Sequence, residues 1–279
     1  MELKKKYIHM SHEKGRAMSQ VTLDDDYNVP ESKPDIVRII TTKGAIHLEE
    51  AKAETGHVLL RGNLGFQVLY RSDGEENNIA YLEGEIPFSE TVNLDGAEEF
   101  DPVKATWDIE DLNIGIINSR KLSIRAVVVL RASAEEQVLE EFTSRLELPG
   151  DYQQKTGTWG ALNLLASCRD VCRQKSEIVL PSNKPNVREI LWRSVELRNV
   201  ESHVEDGKAV VTGEILAAVL YSEEEESERL QWYETTVPLE CAADCDAAGE
   251  NCIFKISAVP LSAELEIKPD YDGEERILV

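Results

Sequence analysis

Apolar and polar side chains alternate along much of this chain with a period of two. The longest run extends from Val58 to Tyr70, where every second residue is apolar or glycine. Shorter runs follow at 79–88, 103–109, 112–116 and 122–130. A period of two places successive side chains on opposite faces of an extended strand, one face buried and the other facing water. The pattern therefore predicts a mainly β protein built from antiparallel strands.

A proline-containing segment occurs twice. Residues 29–40 have the sequence VPESKPDIVRII, and residues 180–191 have the sequence LPSNKPNVREIL. The offset is 181 − 30 = 151 residues, and it continues without a gap through the strand that follows. Recurrence at this spacing indicates a duplicated domain.

The duplication sets the expected architecture. We predict two tandem antiparallel β-sandwich-like domains, at residues 1–134 and 152–279, joined by a linker at 135–151. The offset pairs Gly62 with Gly213 in the interior of the long strand, where glycine adds no packing. We therefore expect a bulge there, or the close approach of a neighbouring segment such as the proline-containing one.

Each proline-containing segment also predicts a short helix. Ser32 and Asn183 are good N-cap residues, and the prolines that follow would fall in the first helical turn. The favoured interpretation is a structural plug at one end of each sandwich, with a binding contact through the repeated lysines as the alternative. The candidate interaction or structural residues are Pro30, Lys33, Pro34, Asp35, Pro181, Lys184, Pro185 and Asn186.

Charge and hydropathy exclude several classes of partner. The chain has 30 basic against 53 acidic residues, a formal net charge of −23. Neither half carries a basic stripe that could neutralise phosphates, so nucleic acid is a poor partner. No apolar run is long enough to cross a membrane as a helix, and no secretory signal is recognisable. We expect a cytoplasmic protein that is not embedded in a membrane.

Catalytic and metal signals are weak. The sequence holds no glycine-rich phosphate loop and no nucleophile-elbow pentapeptide, so we predict no catalytic residues, no cofactor and no enzyme. The five cysteines are odd in number, which predicts reduced thiols. The alternative is a zinc site, because Cys168 and Cys172, and again Cys241 and Cys245, are four positions apart.

The end of the chain shortens the second copy. Residues 276–279 match only the start of the final strand of the first copy, when Arg276 is aligned with Lys121. We expect either a longer parent protein or an exposed sheet edge in the second domain. Such an edge would permit self-association.

Three features together resemble a known family. They are the repeated (V/L)P-x-x-KP-(D/N)-(I/V) segment, the Gly-x5-Gly-x7-Tyr strand after it, and the hairpin INSRKLSI at 117–124. These features resemble the SPOCS domain of SipL-type spore coat morphogenetic proteins in spore-forming Firmicutes. The resemblance covers both copies, and the LysM module that often ends such proteins is not recognisable after Pro260.

The resemblance implies a non-enzymatic structural or adaptor protein of sporulation. Such a protein would lie in the mother cell, at the forespore surface or spore coat, and would help to tether or assemble the coat. Its implied partners are spore coat morphogenetic proteins, with a coat ATPase among the candidates. The alternative is a β module that binds a cell-wall glycan, which would need exposed, coplanar rings from among Trp107, Trp159, Trp192 and Trp232.

Overall fold

The computed structural model describes residues 2–73, 78–147, 153, 155, 157–158, 160–167, 169–224, 229–245 and 252–279. Within this part of the chain every regular element is a strand. The strands are β1 (Glu2–Asn28), β2 (Ile36–Glu54), β3 (His57–Ser72), β4 (Ile79–Asn93), β5 (Val103–Asn118), β6 (Lys121–Glu147), β7 (Ile178–Val179), β8 (Val187–Glu205), β9 (Lys208–Glu223), β10 (Leu230–Asp244), β11 (Ile267–Pro269) and β12 (Glu275–Leu278).

The first repeat is a sandwich of two three-stranded antiparallel sheets. One sheet has the order β1-β6-β5 and the other the order β2-β3-β4. Alternate residues of the central strands β3 and β6 face each other and are almost fully buried, among them Leu60, Phe66, Tyr70, Ile124 and Leu130. The alternating pattern of the sequence is therefore the inner face of this sandwich.

The second repeat has the same order of strands with very unequal lengths. Its sheet β8-β9-β10 matches β2-β3-β4, while the opposing sheet β7-β12-β11 has strands of only two to four residues. Burial follows this difference, since Tyr221 and Val219 lie under the short sheet and are buried, whereas Ile215 and Val211 further along β9 are half-exposed. The predicted tandem pair of β-sandwich-like units is confirmed.

The predicted helix is wrong. Residues 30–33 and 181–184 form tight turns, in which the amide of Lys33 donates to the Pro30 carbonyl at 3.0 Å. The residue before a proline is sterically disfavoured in helical conformation, so Lys33 cannot continue a helix into Pro34. The β-branched residues that follow, starting at Ile36, then pair with β3. We call residues 30–35 and 181–186 the first and second Lys-Pro turns.

The expectation of reduced thiols is also wrong for one pair. Cys172 and Cys241 form a disulfide, with their Cα atoms 5.9 Å apart. The two residues are 69 positions apart in sequence, and only the folding of the segment before β7 against β10 brings them together. Cys245 is a free cysteine, and Cys168 lies outside the described residues.

The segment predicted as linker is partly strand. β6 continues to Glu147 and stays paired with β1 beyond the end of β5, so the two strands extend the sheet as a two-stranded ribbon. The described residues 153–177 that follow are without regular structure. The division into domains at 134 and 152 stays a prediction.

Gly62 and Gly213 each lie next to a β-bulge in the neighbouring strand. A Cβ at Gly62 would overlap the carbonyl oxygen of His47, in β2 next to the bulge at Leu48. A Cβ at Gly213 would lie 3.1 Å from the carbonyl oxygen of Arg198, beside the matching bulge in β8. The expected close approach is confirmed, but the neighbour is the backbone of the adjacent strand rather than the proline-containing segment.

This geometry predicts unequal costs for the same substitution. Gly62→Ala should destabilise the protein by roughly 1–3 kcal/mol, because the overlapping atom belongs to the backbone and the strand has to shift. Gly213→Ala should cost clearly less, since its neighbour has to move only slightly. Urea unfolding followed by circular dichroism measures both. Equal midpoints for the two variants would contradict the steric explanation.

Candidate interaction site at the Lys-Pro turns

One arginine holds each Lys-Pro turn. The guanidinium of Arg120, in the turn between β5 and β6, donates to the carbonyl of Pro30 at 2.7 Å, to that of Val29 at 3.1 Å and to the Asp35 carboxylate at 3.1 Å. A further bond goes to the carbonyl of Lys33. A planar group with five donors is well suited to several carbonyls at once.

Arg276 does the same in the second repeat. It donates to the carbonyl of Pro181 at 2.7 Å, to that of Leu180 at 3.5 Å and to the side-chain oxygen of Asn186 at 3.1 Å. Each of these acceptors lies 151 positions after its counterpart. The structure therefore equates Arg276 with Arg120, which corrects the sequence alignment of Arg276 with Lys121 by one residue.

A buried tyrosine supports each turn from below. The Tyr70 hydroxyl donates to the Pro34 carbonyl at 3.0 Å, and the Tyr221 hydroxyl donates to the Pro185 carbonyl at 3.3 Å. Burial raises the pKa of Tyr70 to about 12, against a smaller lowering by the Arg120 charge, and burial also raises the pKa of Tyr221. Proline carbonyls are thus the acceptors for both the arginine and the tyrosine.

Asp35 and Asn186 are tied into the same network. Asp35 accepts from the hydroxyl of Ser119 at 2.8 Å as well as from Arg120, and Asn186 donates to Glu224 at 3.2 Å. These contacts are within each repeat and fix the turn against its neighbouring hairpins. They favour the structural interpretation of the repeated motif.

The two lysines differ from each other. Lys33 Nζ lies 3.4 Å from a carboxylate oxygen of Glu189 in the second repeat, and its side chain is 31% exposed. Lys184 Nζ donates instead to the main-chain carbonyl of Trp232 at 2.9 Å. The lysine of the first turn therefore contacts the second repeat, whereas the lysine of the second turn bonds to strand β10 of its own repeat.

An open cavity of about 530 Å³ adjoins the second turn. Its lining is charged and polar, with Lys184, Asn186, Glu223, Glu224, Glu274 and Arg276 among the residues. Among the described residues no cluster of three or more His, Cys, Asp or Glu side chains is placed to hold a metal ion. The surface beside the second turn is therefore open and polar.

The described tryptophans do not form a three-ring platform. Trp107 packs against the hydrophobic core of the first repeat, and Trp232 is 48% exposed. Trp192 contacts the ring of Tyr81 edge-on, with 6.4 Å between the ring centroids. Trp159 lies outside the described residues. The geometric condition for a flat glycan-binding surface is not met by these rings.

Comparison with known families accounts for both halves of the chain. The model of the SipL, SPOCS domain matches residues 35–117 and 186–268, two segments that start 151 positions apart and together span more than half of the sequence. The chain belongs to the SipL family of SPOCS-domain proteins. No curated protein and no solved structure matched it.

Membership of the SPOCS family indicates the general process in which the protein takes part. It indicates a sporulation-related protein, and the SPOCS domain is not a known enzyme family. Among the described residues no helix is long and apolar enough to span a membrane. The matched segments end at residues 117 and 268, so Arg120 and Arg276 lie outside the matched part of each SPOCS copy.

Neither arginine is among the site residues predicted from the sequence. The signal was present, because each copy has an arginine at the start of its last strand, but the longer turn around Gly273 shifted the alignment. Only the shared carbonyl acceptors identify the two side chains as equivalent.

Replacing the arginine should loosen the turn. Arg120→Lys keeps the charge but loses the planar fork, and we expect a loss of roughly 2 kcal/mol in the free energy of unfolding, since a bond to a charged donor contributes about 1.5–3 kcal/mol. Arg125→Lys, an exposed position on the same strand, is the matched control. Thermal unfolding of both variants gives the comparison. A midpoint for Arg120→Lys equal to that of the control would contradict the assigned role.

Alkaline pH should weaken the first repeat through Tyr70. Because its pKa is raised above that of an unfolded tyrosine, near 10, the stabilisation is complete below pH 10 and falls as the pH rises towards about 12. Tyr70→Phe should make this decline shallower, whereas Tyr271→Phe, at a fully exposed ring, should not. Urea midpoints between pH 8 and pH 12 measure the slopes. Parallel slopes for the wild type and Tyr70→Phe would contradict the assignment.

Proposed function

We propose that this SPOCS protein is a non-enzymatic adaptor of sporulation that helps to tether or assemble the spore coat through protein–protein contacts. The observation that carries the proposal is the use of the repeated polar residues. Arg120 and Tyr70 donate to main-chain carbonyls and Asp35 accepts from Arg120, and their counterparts in the second repeat make the same contacts. Groups held in this way stabilise shape, and the function is left to the surfaces that they support.

The proposed site of action is the mother-cell cytoplasm, at the forespore surface or spore coat. The proposed partners are spore coat morphogenetic proteins, with a coat ATPase among the candidates. A formal charge of −23 supports protein partners with basic surfaces and disfavours nucleic acid. Self-association through a sheet edge stays a prediction.

A localisation experiment tests the proposal. A fluorescent fusion of the full chain, expressed from its own promoter in sporulating cells, should appear in the mother cell and form a shell around the forespore. Cells that lack the protein should deposit coat proteins away from the forespore. A diffuse fusion, together with normal coat assembly in the deletion strain, would contradict the adaptor role.

A second experiment separates the adaptor from the glycan-binding alternative. Purified protein is sedimented with cortex and cell-wall peptidoglycan, and in parallel with affinity resin that carries recombinant coat morphogenetic proteins. The proposal expects retention on a coat protein and none above background on peptidoglycan. Retention on peptidoglycan alone would support the alternative instead.

A further inference from the structure

The two repeats pack through equivalent surfaces, related by an approximate two-fold axis. Lys43 Nζ donates to the Ser194 hydroxyl at 2.7 Å, and these two residues are 151 positions apart, the same position in each repeat. A residue that contacts its own counterpart lies near the axis that relates the copies, and this axis is approximately two-fold because Arg193 meets Glu83 while their counterparts Thr42 and Glu234 line one groove. Every other contact across this interface should then occur in two versions.

In one half of the interface, oppositely charged side chains and two aromatic rings contact each other across the repeats. We call it the closed half. Arg193 donates to both carboxylate oxygens of Glu83, at 2.8 and 3.0 Å, and Lys33 pairs with Glu189 at 3.4 Å. Trp192 stacks edge-on against Tyr81 beside them. The first repeat supplies the acid of one pair and the base of the other.

The other half has the matching positions but not the matching charges. The counterpart of the pair Glu83–Arg193 is Glu234–Thr42, in which the guanidinium is missing. The counterpart of Lys33–Glu189 is Lys184–Arg38, two residues of like charge that cannot form an ion pair. Opposite charges therefore close one half, whereas neither matching pair in the other half combines an acid with a base.

A groove of about 380 Å³ lies where this pairing is missing. Its lining includes Thr42, Leu216, Ala218, Trp232 and Glu234. Arg198 forms an ion pair with Glu196 at 3.3 Å, and Lys43 donates to the neutral hydroxyl of Ser194, whereas the Glu234 side chain has no hydrogen bond or ion pair within the described part of the chain. The ring of Trp232, 48% exposed, lies in the same groove.

We propose that this groove binds the guanidinium group of an arginine side chain presented by a partner protein. The closed half supplies the template, since Glu83 receives Arg193 next to the rings of Tyr81 and Trp192, and Glu234 and Trp232 occupy the equivalent places. A carboxylate accepts two parallel bonds from a guanidinium, and an indole face attracts its delocalised charge. The net charge of −23 favours the approach of a basic segment. This inference does not depend on the role in sporulation.

The experiment uses the full chain and a minimal probe. Acetyl-Gly-Arg-Gly-amide is titrated at physiological salt while the indole Nε1–H signals are followed by NMR, with Trp232→Phe to assign the signal. The same peptide with citrulline in place of arginine is the neutral control. The expected result is a saturating shift of the Trp232 signal with the arginine peptide and none with the citrulline peptide.

Two variants test the partner groups. Glu234→Gln should weaken binding at least about tenfold, because it removes a charge-assisted pair. Glu240→Gln, the same change on the same strand outside the groove lining, should leave binding unchanged. Thr42→Arg places a guanidinium where the second repeat has Arg193, so it should raise the thermal midpoint and abolish binding of the peptide.

Several outcomes would overturn the proposal. They are an equal shift with the citrulline peptide, unchanged binding by Glu234→Gln or Thr42→Arg, and a parallel, unsaturated shift of all indole signals. A saturating shift with diacetylchitobiose in place of the arginine peptide would also overturn it and would identify a sugar site. Because each readout is made on the folded chain, none depends on coat assembly.

Discussion

The main-chain hydrogen bonds of a central strand determine how much of each repeat becomes a sandwich. Strand β6 lies between β1 and β5 and pairs with both, so all three are long and their inner residues are buried under β3. In the second repeat the central strand β12 has four residues, and its neighbours β7 and β11 are paired only beside it. A flanking strand without a central partner leaves its backbone groups unpaired and has no register to adopt.

The turn held by the arginine lies at the same end of the sandwich in each repeat. Arg120 directly precedes β6 and Arg276 is the second residue of β12, and their guanidinium groups join the start of the central strand to the turn that leads into β2 or β8. The second repeat keeps its core at this end, around Tyr221 and Leu278, although the opposing sheet is short. The disulfide between Cys172 and Cys241 adds a covalent link between the segment before β7 and β10.

Duplication followed by divergence of charge explains the asymmetry between the repeats. Two copies of one surface meet about a two-fold axis, yet only one half of the contact has complementary charges, through Arg193 with Glu83 and Lys33 with Glu189. The residues at these positions are polar and at least partly exposed, so substitution there costs the fold little. A surface of this kind can acquire a binding role while the buried residues that define the SPOCS copy stay in place.

The sequence by itself determined the strand pattern, the duplication and its offset, and the SPOCS family, because period-two alternation and recurrence at domain spacing are properties of the linear chain. Tertiary structure decided the rest. The Lys-Pro segments are turns because pairing of Ile36 and Val187 with the long strands overrides the capping signal of Ser32 and Asn183. The equivalence of Arg120 and Arg276, the disulfide and the inter-repeat groove depend on contacts between distant residues, and such contacts leave no periodic trace in a single sequence.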